Sequence, residues 1–183
     1  MFKHTYWQIP SCLNKKGIQQ VNSFILEHND GNESPDKTAG NKIAKVKCIK
    51  WHKVEHFLKP LAEIALDTGR TKFGYDLYPL SHEDALNYNT YRGEDKGSYD
   101  WHTDTSAELL YDIKLTVLIN ISTKPYKGGK FKIYNGAKKI DVPELDIPGN
   151  MVIFNSSLHH TVMPVTSGER KTLTMFLKGP AFR

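Results

Sequence analysis

The run Lys-Leu-Thr-Val-Leu-Ile-Asn-Ile at residues 114–121 puts Leu115, Val117, Ile119 and Ile121 on alternate positions. That is the period of a β-strand with one face in a core. It is the strongest of eight short runs, at residues 73–78, 85–92, 98–104, 114–121, 130–134, 151–154, 161–163 and 172–177, separated by Gly, Pro and Asn. Short strands at this spacing, with no helical pattern between them, predict two facing antiparallel sheets and exclude a wound α/β sheet. Eight such strands make a jelly roll, and Gly128-Gly129 supplies one of its turns.

The first part of the chain has a different texture. Residues 6–10 read as a short strand or arm, and Ser11 or Asn14 can cap a helix with Ile18, Val21, Phe24, Ile25 and Leu26 on its apolar stripe, ending near Asn29. Residues 30–41 carry no apolar period and read as a mobile surface loop. Residues 43–51 alternate as a strand with one lysine-rich, solvated face. A second helix is predicted over residues 54–68, with Phe57, Leu58, Leu61, Ile64, Ala65 and Leu66 inward and Gly69 as its C-terminal cap. The expected fold class is therefore mainly β with supporting N-terminal helices. Residues 1–72 form the helices and loop, in the same domain as a β-roll over residues 73–183.

A chain of 183 residues is long enough for a proper core. Its net charge of +5 and pI near 9.0 permit an acidic or nucleic-acid partner without demanding one. Two cysteines, Cys12 and Cys48, are too few for a disulfide framework. The start has no apolar leader region and no apolar run is long enough to span a bilayer, so a cytoplasmic protein with no membrane partner is expected.

Chemistry concentrates in Tyr-Asp-Trp-His-Thr-Asp at residues 99–104. His102 and Asp104 are two apart, so on an extended strand both side chains point the same way. A third imidazole from a neighbouring strand would complete two histidines and a carboxylate around one metal, leaving positions open for substrate and oxygen, an arrangement that suits Fe(II). His159 and His160 are both candidates, and only one can face the metal because neighbours on a strand point to opposite sides. Arg170 follows at a short offset. His52 and His56, four apart, lack a third ligand and read as exposed side chains.

Taken together and in order, these motifs carry a resemblance. Tyr91-x-Gly93 through Tyr99-x-x-His102-x-Asp104, then Tyr126-x-Gly128-Gly129, Pro148-Gly149 and His160-x-Val162-x-Pro164-Val165 to Gly168-x-Arg170 resemble the iron- and 2-oxoglutarate-dependent oxygenases of the prolyl 4-hydroxylase-like superfamily. The resemblance implies a double-stranded β-helix with iron held by His102, Asp104 and His160, the last selected by its offsets from Pro164 and Arg170. It implies 2-oxoglutarate as co-substrate, its far carboxylate gripped by the Arg170 fork with help from Thr172 and Tyr91, and ascorbate as a candidate further cofactor. Collagen-type members use Lys where this chain has Arg170, so the chain looks more like the small bacterial-type and oxygen-sensing hydroxylases.

The function that this resemblance implies is that of a dioxygenase hydroxylating an unactivated carbon, in a prolyl or other amino-acid side chain of a peptide or protein, with release of succinate and carbon dioxide. Two alternatives stand beside it. One is an oxidative nucleic-acid base demethylase on the same roll, suggested by Asn89-x-Tyr91 and the basic residues 42–53; the other is a non-catalytic jelly roll that binds a metal or small ligand. Trp51 and Trp101 are candidates for the substrate mouth, although such aromatics usually belong to a core. Oligomeric state is open.

Overall fold

The computed structural model describes residues 4–28, 33–36, 42–105 and 111–181, with residues 33–36 described as backbone only. In chain order the elements are β1 (Tyr6–Ile9), α1 (Lys15–His28), β2 (Glu33–Asp36), β3 (Lys42–Lys50), α2 (Trp51–Thr68), β4 (Ala85–Arg92), β5 (Ser98–His102) and β6 (Tyr111–Asn120). They continue as β7 (Lys127–Gly128), β8 (Phe131–Tyr134), β9 (Lys139–Asp141), β10 (Met151–Asn155), β11 (His159–Val162), β12 (Val165–Ser167) and β13 (Glu169–Pro180). The architecture is the mainly β roll with two supporting helices that the alternating runs predict. Among the described residues no helix is long and apolar enough to cross a membrane.

A major sheet in the order β1-β10-β6-β13-β4-β3 curls into a minor sheet β3-β5-β11-β8-β9, with β2 added beside β3 and every pair antiparallel. The curl happens on one strand. Lys45–Lys50 of β3 pair with β4, whereas Lys42 and Ile43 pair with Tyr99 and Ser98 of β5.

The alternation in β6 decides what lies on each side of the major sheet. Leu115, Val117 and Ile119 join Met151, Ile153, Leu173, Met175 and Leu177 in a core against α1 and α2. Each such buried aliphatic side chain contributes about 1.5–3 kcal/mol relative to exposure. Leu118 points the other way and packs with Phe131, Ile133, Phe154 and Val162 between the two sheets.

Helix α1 begins where the Asn14 side-chain oxygen accepts a hydrogen bond from the Gly17 backbone N–H at 2.8 Å, one of the two caps expected. Its buried face is Ile18, Val21, Asn22 and Ile25, whereas Leu26, expected on that stripe, is 49% exposed. Asn22 replaces it because every polar atom of its amide is used. Its nitrogen donates to the Ile18 and Ile121 carbonyls at 2.8 and 2.9 Å, and its oxygen accepts from the Tyr88 hydroxyl at 2.7 Å. Burial pushes the Tyr88 phenol up to about 12, so it remains a donor. Tyr88→Phe strands the Asn22 oxygen. The expected cost is about 1–3 kcal/mol, read in a urea or thermal unfolding curve.

Four expectations are corrected or refined. Gly69 is the C-cap of α2 as expected, but not a left-handed one: its φ of −60° is helical, and a Cβ there would stand 2.3 Å from the Leu77 side chain, so packing excludes a side chain. The chain continues through a wider π turn, Gly69–Phe73, and stops at Gly74, whose φ of +74° is the left-handed cap. Residues 73–78 therefore do not form a strand; they pack Phe73, Tyr75 and Leu77 on the helix-side core, and a backbone bond from Tyr78 N–H to the Lys178 carbonyl at 2.9 Å ties them to β13. Helix α2 starts at Trp51, and Ile64, expected inward, is 42% exposed.

Within the expected loop at 30–41, residues Glu33–Asp36 form an edge strand on residues 44–47 of β3. A Glu-Ser-Pro-Asp run shows no alternation, and proline is tolerated at an edge whose N–H groups face away from the ladder. The rest of that stretch lies outside the described residues.

Candidate metal centre and co-substrate cavity

Strand pairing makes the centre. In the β5–β11 ladder His160 stands directly opposite His102, and their rings lie 4.1 Å apart, centroid to centroid. Asp104 follows two residues after His102, and its backbone N–H is fixed on the Ser156 carbonyl at 2.9 Å. One donor atom from each of His102, Asp104 and His160 falls within 4.8 Å of the others, and this is the one such group of three among the described residues. His159, the competing neighbour, is exposed, while His160 is 3% exposed.

The rings are aimed by their own backbone. The Nδ1–H of His102 donates to the Asp100 carbonyl at 2.7 Å, and that of His160 to the Leu158 carbonyl at 2.9 Å. Carbonyls only accept, so Nδ1 keeps its proton and Nε2, the atom turned toward Asp104, is the one that would give up its proton and offer a lone pair to a metal ion. The Nε2 atoms stand 3.5 and 3.2 Å from the two Asp104 oxygens. An ion bonded at about 2 Å to three donors at right angles separates them by about 3 Å, so this set fits an ion with small side-chain adjustments.

Tyr99 stacks on the His102 ring at 3.4 Å between centroids, and the edge of Phe154 packs against His160 at 4.7 Å. Burial alone would raise the Asp104 pKa. The hydrogen bonds and charge of the two histidines outweigh it and hold the carboxyl well below the usual carboxylate range, so it is ionised and ready to bind a cation.

Sequence reasoning missed the support beneath Asp104. The Thr116 hydroxyl donates to an Asp104 oxygen at 2.8 Å, which leaves the Ser156 hydroxyl to donate to Thr116 at 3.0 Å. Both residues are fully buried. The signal was present as a threonine on the inward face of an otherwise aliphatic strand. Outer partners of metal ligands matter for affinity, so Thr116→Val is expected to weaken divalent-metal binding by about 10–100-fold, measured by anaerobic titration, while leaving the fold intact.

Arg170 reaches the same cavity from β13. It is 1% exposed, and its Nε and Nη2 atoms are buried without a hydrogen-bond partner among the described residues. A buried cation with idle donors requires an anion or water to offset its desolvation. Tyr91, its direct partner across the β4–β13 ladder, lies with its ring centroid 5.5 Å from the guanidinium carbon. The stem is clamped by Gly129, where a Cβ would approach the Arg170 Cδ to 2.8 Å.

His102, Asp104, His160, Tyr91, Arg170 and Thr172 all line one cavity of about 90 Å³. Lys42 and Asn89 also reach it, with the Lys42 ammonium donating to the Asn89 side-chain oxygen at 3.0 Å. The idle Arg170 donors and the three converging metal-binding atoms fit an anion bound beside a metal ion. Trp51 and Trp101 do not line this cavity: Trp51 is 3% exposed in the helix-side core, and Trp101 lies under the Lys139 ammonium in a separate surface depression with Tyr134 and His159. His52 and His56 are exposed on α2, and neither belongs to a metal-binding group.

The family model of the 2OG-Fe(II) oxygenase superfamily matches residues 86–178, half of the chain and all of the strands that carry this cavity's polar residues except β3. The chain belongs to that superfamily and is an oxidoreductase of the 2-oxoglutarate-dependent class. Membership implies Fe(II) and 2-oxoglutarate.

Solved structures share the fold at low identity. A prolyl-4-hydroxylase from Pseudomonas putida is 15% identical with a TM-score of 0.73, the match covering 98% of this chain and 95% of that one. A viral collagen prolyl hydroxylase from Paramecium Bursaria Chlorella virus-1, in its 2OG complex, is 14% identical at a TM-score of 0.65, covering 97% of both chains. A prolyl hydroxylase from Trichoplax adhaerens, in complex with a hypoxia inducible factor oxygen degradation domain peptide fragment, is 16% identical at 0.68, covering 96% and 84%. A comparison with curated proteins found no match.

Proposed function

We propose that the chain is an iron(II)- and 2-oxoglutarate-dependent hydroxylase acting on a prolyl or other amino-acid side chain within a peptide. The observation that carries the proposal is the pair of groups lining one cavity: the His102–Asp104–His160 group and the buried Arg170 with two idle nitrogens. His102, Asp104 and His160 would hold the iron, and Arg170, with Thr172 and Tyr91, would hold the far carboxylate of 2-oxoglutarate. When bound, iron and 2-oxoglutarate supply the oxidising power: dioxygen is consumed, 2-oxoglutarate becomes succinate and carbon dioxide, and one oxygen atom enters a C–H bond.

The protein's own residues position and dry the site. Arg170 binds a carboxylate through two parallel hydrogen bonds, which fixes the rotation of the co-substrate as well as its depth. Leu118, Phe131 and Val162 line the wall and exclude water, so the charges act in a low dielectric. Ascorbate enters as the reductant that keeps iron ferrous between turnovers. The prolyl peptide is supported by the three structural neighbours, which are prolyl hydroxylases by description, one of them holding a peptide.

The test is incubation with Fe(II), 2-oxoglutarate and ascorbate against a panel of proline-containing peptides, with methylated oligonucleotides in parallel. A peptide gaining one oxygen by mass spectrometry, with stoichiometric succinate, is the expected result. Turnover confined to the oligonucleotides would replace the peptide reading with the demethylase one.

A further inference from the structure

A concavity larger than the catalytic cavity stands apart from it. It is a cleft of about 880 Å³ between the start of α1 and the segment after β6, residues 122–128. The register of β6 places it at the far end of the roll from the metal centre: Thr116 reaches Asp104, whereas the Asn120 amide, further along the same strand, donates to the Tyr126 hydroxyl at 3.2 Å, and Tyr126 lines the cleft.

Its floor is apolar, built from Leu13, Ile18, Pro125 and Pro148. Its rim is basic. Lys15, Lys124, Lys127 and Lys130 line it and all four are exposed, against one lining carboxylate, Asp146, which Lys130 already engages. The N-terminal end of α1 adds to the same sign. Its first turn carries Lys15 and Lys16 and no acidic residue, the reverse of what would offset the helix dipole. The chain thus gathers positive charge around an apolar trough at a point where its own stability would favour carboxylates.

We propose that this cleft docks an acidic peptide segment of a partner protein, one carrying aliphatic side chains between its carboxylates. Aliphatic groups would seat on Leu13 and Ile18, and carboxylates would meet the lysines of the rim. A nucleic acid is disfavoured because the one aromatic lining the cleft, Tyr126, is half-buried with its hydroxyl engaged, leaving no stacking platform. A second copy of this chain is disfavoured by its net charge of +5. None of this depends on how the catalytic cavity is read.

The experiment uses the full chain, loaded with zinc in place of iron and with 2-oxoglutarate. A fluorescent peptide of alternating glutamate and leucine is titrated by anisotropy, and the methyl resonances of Leu13 and Ile18 are followed by NMR. Binding that shifts those methyls, weakens with added salt, and falls about tenfold or more in the Lys124→Glu, Lys127→Glu double variant is expected. The Lys59→Glu, Lys138→Glu double variant, changed outside the cleft, should bind as the parent does. Unchanged affinity in the first double variant overturns the proposal. So does an oligothymidylate that binds more tightly and displaces the peptide, or light scattering that shows a dimer dissolved by the same two substitutions.

Discussion

Arg170→Ala is expected to raise the 2-oxoglutarate concentration for half-maximal turnover by about 30-fold to several thousand-fold. That range corresponds to the loss of a buried charged hydrogen-bond pair, about 2–5 kcal/mol, at 1.4 kcal/mol per factor of ten. The arginine is 1% exposed and two of its nitrogens have no partner among the described residues, so under the proposed reading they would meet the bound anion. Steady-state kinetics with varied 2-oxoglutarate checks the magnitude. Arg170→Lys should recover part of the loss, because an ammonium keeps the charge but lacks the planar fork. If both variants bind 2-oxoglutarate as the parent does, while retaining metal affinity and fold, the anion site lies elsewhere.

Asp104→Ala should have the larger effect. Two imidazoles remain, but the only anionic donor of the group is gone, and metal affinity is expected to fall by more than the roughly 100-fold that losing an outer partner can cost. Anaerobic addition of Fe(II) and 2-oxoglutarate should then give no visible charge-transfer band, and succinate release should disappear. The fold should survive. Burial opposes the ionised form of Asp104, but its two histidines outweigh that opposition and Thr116 adds a hydrogen bond, so the variant should unfold at a lower midpoint than the parent while keeping its native spectrum. A variant that loses the band and keeps the parent's circular dichroism spectrum separates metal binding from folding.

Much of the architecture was legible in the sequence where side-chain alternation governs. The run around Val117 and Ile119 became the central strand β6 with its aliphatic face on the helices, and residues 85–92 became β4 with the same bounds. His102, Asp104 and His160 come together because the β5–β11 pairing sets two histidines opposite each other, a contact that motif spacing could suggest and only register could place.

The rest depended on packing between distant segments. Glu33–Asp36 pairs as a strand without any apolar pattern, since an edge strand needs only backbone partners. Gly69 caps its helix, yet it is a glycine because Leu77 and Leu115 press on it from elsewhere in the chain. Thr116 was hidden by its aliphatic neighbours, and Trp101 turned away from the cavity because it precedes His102 on a strand whose successive side chains face opposite sides.

The strand common to both sheets acts as a gauge. Its Lys42–Ile43 end is bonded to the strand that bears His102, and its other end to β4, whose far neighbour is the strand that bears Arg170. The span from triad to arginine is thereby measured out in backbone hydrogen bonds across four adjoining strands, β5, β3, β4 and β13. Under the proposed reading, that ruler would select a dicarboxylate of one length.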